Sequence, residues 1–509
     1  MSTQAPAAPA VSRFRAPDTY VILFFVILFA AALTYLVPAG SFDTRTVRYE
    51  TPAGDVAERT VLVPESFSFL RDEAGEPVRR GVPVFAPGGE AGIFNYAFEG
   101  LVSGNKWGSA VGVVAFILLI GGAFGVVLRT GAIEAGILAA IRRTAGTEVL
   151  VIPVMYLLFS LGGAVFGMGE EAIAFAMILV PLVIALGYDA VVGVLITYVA
   201  TQIGFATSWM NPFSVVIAQG ISGLPVLSGA TFRIVLWAVF TAIGAAYAMW
   251  YGERVRRDPT RSALWGRPDP LRDEVEAARA QPPEFRLGHK LVLLTILATI
   301  IWVVWGVTAR QYYIPELATQ FFIMGVAAGV IGVVFRLGGM TINDIGRSFR
   351  QGARDILDAA LIVGMAKGVV IVLGGDDPTQ PTVLNTVLYG AGQLVDGVPP
   401  AVSATVMYYF QSVFNFFVVS GSGQAALVMP IMAPLADVAG VTRQVAVLAF
   451  QLGDGLTNII VPTSGALIGT IGVARIEWTT WARFIWRFLL LLMACSTVAV
   501  LIAVAIGYR

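Results

Sequence analysis

One cysteine, Cys495, and one histidine, His289, are all that 509 residues hold of either type. A single thiol allows no intrachain disulfide and no cysteine-built metal site. A single imidazole excludes any catalytic centre that needs two. His289 stands beside Lys290 where an apolar run begins, and there an ordinary interfacial residue is favoured over a proton relay. Charge is scarce too: Asp, Glu, Lys and Arg make up 13% of the chain, against about 25% in soluble domains, and they cancel to a formal net charge of zero. That balance argues against a nucleic-acid surface, which needs clustered Lys and Arg to neutralise phosphates.

Apolar residues are plentiful, at 57% of the chain, and they come in runs long enough to cross a bilayer. Charge-free runs occur at Tyr20–Val37, Trp107–Leu128, Phe232–Tyr251 apart from its flanking Arg233, Leu291–Val307, Leu317–Phe335 and Phe488–Ile506. The Ala- and Pro-rich stretch before Tyr20 carries Arg13 and Arg15. The run that follows is long enough to be a retained first helix rather than a cleaved signal. Basic segments set the orientation. Arg254, Arg256, Arg257 and Arg261 follow one run, Arg336, Arg347, Arg350 and Arg354 follow another, and Arg475, Arg483 and Arg487 precede the last. Each is expected on the cytoplasmic side, which puts the N-terminus inside.

One pattern is written twice. GMGEEAIAF, from Gly167 to Phe175, precedes ITYVATQIGFATSWMNPFS, which ends at Ser214; SGSGQAALVMP, from Ser420 to Pro430, precedes VLAFQLGDGLTNIIVPTSG, which ends at Gly465. Pro181 and Gly187 match Pro434 and Gly440 at one offset. Thr207, Pro212 and Ser214 match Thr457, Pro462 and Ser464 at another, three residues shorter. Upstream, GGAFGVV from Gly121 matches GMAKGVV from Gly364. Backbone that breaks its helix at bilayer depth must line a cavity or be packed in protein, so paired breaks point to a transporter's midplane site. The orientation is consistent only if Val149–Gly187 is a re-entrant hairpin from the cytoplasm and Pro399–Gly440 one from outside.

The expected fold is therefore an all-α polytopic membrane protein with two inverted-topology repeats, each with a re-entrant helical hairpin and a broken transmembrane helix. The expected division is a tail and first helix at 1–40, an extracytoplasmic insertion at 41–106 with strand-like TVRYET and RTVLVP, and the rest of the first repeat at 107–253 (hairpin 149–187, broken helix 190–220). A cytoplasmic linker at 254–288, a connecting helix at 289–315 and the second repeat at 316–509 (hairpin 399–440, broken helix 444–470) complete it. Within the linker, LRDEVEAARA is a candidate short helix, with a solvated connector as its main role.

Half-helix N-termini offer unpaired N–H groups to a carboxylate, and C-terminal ends offer carbonyls to a cation. Candidate substrate-binding residues are Ser420, Gly421, Ser422, Gly423 and Gln424 at the second hairpin, with Ser208, Asn211, Asn458, Thr463 and Ser464 in the broken helices. Oxygen from Thr207, Asn211, Thr457 and Asn458 could ligate Na+. Glu170, Glu171 and Asp454 read as ion-coupling groups, with Thr207, Ser214 and Thr457, because a carboxylate at this depth is costly unless paired, hydrated or protonated. The bland alternatives are hydroxyls that bond their own helix and a carboxylate that pairs with Lys367. No resident cofactor is expected beyond Na+ or H+ as coupling ion.

These motifs, with DTYVILF, TYLVPAGSFD, NPFSVVIAQGISGLP and RQVAVLAFQLGDG in order along nearly the whole chain, resemble the DcuC family of four-carbon dicarboxylate carriers and its YfcC-type branch, within the ion transporter superfamily. The resemblance implies secondary-active transport of a small carboxylate across a bacterial-type cytoplasmic membrane, an elevator-like movement of the hairpins and a homodimer. The acidic tips would suit an amino acid, including a basic one, better than a dianion. A channel and an intramembrane hydrolase are the other classes. The hydrolase is disfavoured, since HExxH is absent and one histidine cannot build a serine triad in the core.

Overall fold

The structure, a computed structural model, describes residues 19–50, 56–106, 109–133, 135–136, 148–211, 213–225, 227–280, 285–310, 312, 314–375, 377, 379–393 and 398–509. Arg13, Arg15, Trp107 and Pro212 lie outside these residues. The described chain is mainly helical, as an apolar chain must be if its backbone is to bond itself inside a bilayer.

Helix α1 (Thr19–Leu36) leads into four short strands, β1 (Gly40–Ser41), β2 (Thr44–Glu50), β3 (Val56–Leu62) and β4 (Ser68–Phe69). The two strand-like stretches pair with each other: β2 runs antiparallel to β3 with Thr44 opposite Leu62, and β1 pairs with β4. Helix α2 (Tyr96–Val102) closes this insertion, and α3 (Ser109–Arg129) follows. Next come the helical hairpin α4 (Val151–Phe166) and α5 (Glu171–Ala185), α6 (Ala190–Ala206), a non-helical break, α7 (Val215–Ile221) and the long α8 (Ala230–Arg257). Helices α9 (Pro270–Ala280) and α10 (Leu287–Arg310) connect this half to the next.

The second half contains α11 (Ile314–Val334), α12 (Ile342–Asp355), α13 (Leu357–Val372) and α14 (Val383–Gln393). A second hairpin, α15 (Pro400–Phe414) and α16 (Gly421–Val438), precedes α17 (Arg443–Thr457), a break, α18 (Gly465–Val473) and α19 (Trp478–Ala505). Among the described residues, α3, α8, α11 and α19 are long and apolar enough to cross a membrane, and α1, α4, α5, α6, α10 and α13 contribute shorter apolar stretches. Two helices overrun their charge-free runs. Helix α8 continues past Tyr251 to Arg257, and α19 starts at Trp478 rather than Phe488 and so includes Arg483 and Arg487. Long basic side chains can lay their stems on apolar surface while the charge reaches water, so the helix need not end where the hydropathy does.

The packing of one half is answered in the other. Helix α4 lies on α6 and α8; α15 lies on α17 and α19. The second arm of each hairpin crosses to the opposite half: α5 packs on α18, and α16 packs on α7. Helix α12 packs on α3, and α2 packs on α13. At the centre α6 crosses α17, and both are almost wholly buried. The β2–β3 hairpin rests against α7 and α16.

Two details break the correspondence. Residues Leu195–Val199 of α6 form a π-helical turn, whereas α17 is α-helical throughout. Such a turn absorbs one extra residue within a helix, part of the three by which the first half, with 21 residues from Gly187 to Thr207, exceeds the second, with 18 from Gly440 to Thr457. The linker is also more structured than a solvated connector. Ser262 and Tyr251 both donate to Asp189 Oδ2 at 2.6 Å, at the start of α6. Helix α9 packs on α5, and the pairs Arg267–Glu477 (3.1 Å) and Glu274–Arg475 (3.0 Å) tie the linker to the α18–α19 junction. Further along, Asp344 and Thr341 form a capping box at the start of α12. The Thr341 hydroxyl and backbone N–H hold the Asp344 carboxyl below its usual range.

Candidate functional site

The first break is a compact polar turn. Helix α6 ends at Thr207, whose hydroxyl donates to Ile203 O at 2.7 Å. Ser208 Oγ donates to Ala164 O in α4 and accepts the N–H groups of Met210 (3.1 Å) and Asn211 (2.8 Å). Asn211 Oδ1 accepts Phe213 N–H at 2.8 Å, while its Nδ2 and Ser214 Oγ are buried with no partner among the described residues. Gly167, at the tip of the first hairpin, packs directly against the Asn211 side chain and takes a left-handed conformation (φ 73°) that L side chains rarely adopt.

The second break touches its own hairpin in the same manner. Asn415, in the connection between α15 and α16, points its amide nitrogen at Asp454 O (2.9 Å), Thr457 Oγ1 (2.8 Å) and Asn458 Oδ1 (2.8 Å). Thr463 Oγ1 donates to Phe416 O at 2.9 Å. Thr457 Oγ1 also bonds its own helix, donating to Gly453 O at 2.6 Å. Ser464 Oγ caps α18 by accepting Leu467 N–H, and Ser420 Oγ caps α16 by accepting Gly423 N–H at 3.2 Å. Gln424, one turn into α16, donates to Gln411 Oε1 at 2.8 Å.

Each break is braced by the other half's helix. Tyr198, inside the π turn, donates to Asn458 O at 2.9 Å and lies 3.0 Å from Ser464 Oγ; Asn458 Nδ2 donates to Gln202 Oε1 at 3.3 Å. In return Gln451 Nε2 faces the Phe205 and Ser208 carbonyls, both at 3.0 Å. The two breaks are thus one polar centre built by α6 and α17 together.

The carboxylates lie around this centre in different settings. Asp454 is fully buried, and neither oxygen has a hydrogen-bond partner among the described residues. The pairing with Lys367 weighed from sequence is therefore not made to Asp454. A Cβ built on Gly421 would stand 3.2 Å from Asp454 Oδ2 and 2.8 Å from the Phe205 ring, so the carboxylate borders the N-terminus of α16. There Ser420 is exposed and Gly421, Ser422 and Gly423 are partly so. Glu171 is 6% exposed and accepts Gly169 N–H at 2.8 Å, whereas Glu170 is only partly buried. His289 lies elsewhere: its Nδ1 accepts Arg286 N–H at the start of α10, a local structural role.

Sequence reasoning missed several members of this centre. Arg233, in the first turn of α8, is fully buried and donates to Gln451 Oε1 and, at 3.5 Å, to Ser208 O. One turn on, Trp237 packs edge-to-face on Trp209 with ring centroids 5.2 Å apart. Tyr198, Gln202 and Gln451 are polar residues scattered through apolar helices, and Asn415 lies in the connection between two apolar arms, so no local pattern marks them. The signal that finds them is depth, since a polar side chain there needs a partner. A separate cavity of about 150 Å³ lies among α3, α5, α9, α12 and α18, beside the Glu274–Arg475 pair, and none of the candidate residues lines it. Among the described residues, no group of three or more His, Cys, Asp or Glu is placed to hold a metal.

Residues 16–505 match the family description "DcuC: C4-dicarboxylate anaerobic carrier". The chain is 51% identical over 498 residues to the "Putative basic amino acid antiporter YfcC" of Escherichia coli (strain K12), with 98% of each chain covered. It is 30% identical over 517 residues to an uncharacterized protein of Haemophilus influenzae, with 97% of this chain and 98% of that one covered. Among solved structures it is similar to the Alcanivorax borkumensis YdaH transporter, at 15% identity and a TM-score of 0.39, over 97% of this chain and 99% of that one.

Proposed function

The chain belongs to the DcuC family of membrane carriers, and from that premise we propose that it is a secondary-active exchanger of amino acids, basic ones included, driven by Na+ or H+. The observation that carries the substrate class is Asp454. A carboxylate with no exposure and no hydrogen-bond partner, set against the N-terminus of α16, calls for a positive charge. A substrate ammonium, Na+ or a proton would answer it, while a dianion would be repelled unless a cation bound first. The name of the Escherichia coli relative agrees with this choice. The family's own description keeps a C4-dicarboxylate as the second reading.

On this reading the amides and hydroxyls of Ser420, Gly421, Ser422, Gly423 and Gln424 face the substrate carboxylate from one side. Ser208, Asn211, Asn458, Thr463 and Ser464 complete the contact from the two breaks. Thr207, Ser214 and Thr457, with Glu170, Glu171 and Asp454, handle the coupling ion, and Na+ would sit near Thr207, Asn211, Thr457 and Asn458. The two halves are inverted repeats with re-entrant hairpins. The reciprocal packing of α5 on α18 and α16 on α7 supports that arrangement, as do the basic segments expected on one side. An elevator-like movement, a homodimer, a cytoplasmic N-terminus and a place in the bacterial cytoplasmic membrane belong to the same proposal.

The test is exchange in proteoliposomes. Vesicles loaded with L-lysine should take up labelled L-lysine faster than empty ones, saturably and with a dependence on Na+ or pH. Counterflow of succinate without counterflow of L-lysine would replace the amino-acid reading with the dicarboxylate one.

A further inference from the structure

Arg233 is fully buried, and it sits where the first break, α8 and α17 meet. One nitrogen, Nη1, is engaged by Gln451 Oε1 and the Ser208 carbonyl. The other two, Nε and Nη2, are buried and make no well-formed hydrogen bond among the described residues, the Tyr508 hydroxyl being the one polar group placed to accept from the guanidinium. Tyr508, whose hydroxyl donates to Gly229 O at 2.7 Å, lies beside the guanidinium. Nε and Nη2 form the side-on edge of the guanidinium, whose parallel N–H groups match the two oxygens of a carboxylate.

A guanidinium wholly buried in protein is expensive to leave half-paired, and a role as a cap for the end of α6 would engage only the side that Gln451 and Ser208 already occupy. We propose that Arg233 is a carboxylate-binding residue of the transport site, with its Nε–Nη2 edge as the fork. The inference rests on the transporter reading above and deepens it. Gln451, which holds Arg233, and Asp454 are three residues apart on α17, neighbours one turn along a single helix side. An anion-binding fork and a cation-binding carboxylate attached to one side of α17 fit a small zwitterion: an α-amino acid whose carboxylate is shared between Arg233 and the N-terminus of α16 and whose ammonium meets Asp454. The fork also selects against the corresponding amine, which has nothing to offer it.

The experiment measures ligand-induced thermal shifts of the purified full chain, as wild type, Arg233→Gln and Arg233→Lys, with three probes: L-lysine, cadaverine (lysine without its carboxylate) and succinate. Unliganded melting and a monodisperse elution profile establish that each variant is folded. L-Lysine should bind wild type best, and Arg233→Gln should weaken it by roughly ten-fold or more while cadaverine binding stays as it was. Arg233→Lys keeps the charge that a helix cap needs but loses the fork, and should also bind L-lysine more weakly. Wild-type affinity for L-lysine in Arg233→Lys would assign Arg233 to capping and overturn the proposal. Succinate binding that depends on Arg233, with no binding of L-lysine, would uphold the fork and reject the amino-acid reading. A wild type that responds to cadaverine but to neither carboxylate, or to none of the probes, rejects the fork.

Discussion

A Cβ placed on Gly455 would stand 2.6 Å from both the Cα and the Cβ of Ala206, so α6 and α17 cross with nothing larger than a methyl group between them just before each helix breaks. Gly455→Ala should therefore destabilise the protein by overpacking, at roughly 1–3 kcal/mol. The measurement is the melting temperature in detergent, and Ala206→Gly introduced into Gly455→Ala should recover part of the loss. An unchanged melting temperature for Gly455→Ala would mean that the crossing is looser than this.

Gln451 supports three groups at once: the Phe205 and Ser208 carbonyls and the Arg233 guanidinium. Gln451→Leu strands buried polar groups, each costing about 1–3 kcal/mol. Gln202 accepts a single hydrogen bond, from Asn458 at 3.3 Å, and Gln202→Leu should cost less. Parallel melting curves rank the two variants, and a Gln202→Leu protein less stable than Gln451→Leu would contradict the bracing described.

Asp454→Asn keeps the shape of the side chain and removes its charge. The variant should fold as well as wild type or better, because a buried, unpaired carboxylate is costly. Exchange of L-lysine in proteoliposomes should fall by roughly ten-fold or more, the scale of one lost contact to a charged group. Retained exchange with an unaltered response to Na+ and pH would remove Asp454 from the site.

At the first hairpin, Glu171→Gln and Glu170→Gln separate two neighbouring acids with different exposure. At least one variant should bind substrate with a changed dependence on Na+ or pH, and the deeper Glu171 is the stronger candidate. Titrations of substrate binding at several Na+ concentrations and pH values report this, and two wild-type profiles would leave both acids with packing roles.

The linker's ion pairs lie at the surface, where salt bridges contribute little. Glu274 and Arg475 are partly exposed, at 61% and 38% of their side chains, so Glu274→Ala should change stability by about 1 kcal/mol or less. A large drop in melting temperature would show that α9 holds the fold together rather than bridging its surface.

What could be read in the sequence was whatever is local. Gly167 and the SGSG run mark the hairpin turns because small residues permit them, and one residue of the three-residue difference in repeat offset is taken up by the π turn at Leu195–Val199. The stretches around Val47 and Val61 form strands as expected, and the structure adds that they pair with each other. What stayed hidden depends on distant partners. Arg233 sits in the first turn of an apolar run, where hydropathy treats it as a flanking charge; only its contact with Gln451, 218 residues away, reveals it as part of the centre. Tyr198 and Asn415 are similar, since polarity alone does not say which helix a side chain will meet.

The π turn in α6 also bears on how the molecule rests. On the inverted-repeat reading, a carrier made of two equivalent halves would have equal free energy facing either side of the membrane, and only gradients would choose between them. The turn at Leu195–Val199 has no counterpart in α17, and its Tyr198 reaches Asn458 and Ser464 in the other half. Its hydrogen bonds need not survive equally in both orientations. The unloaded protein would then idle facing one way, and the direction of its first half-cycle would be set by five residues of one helix.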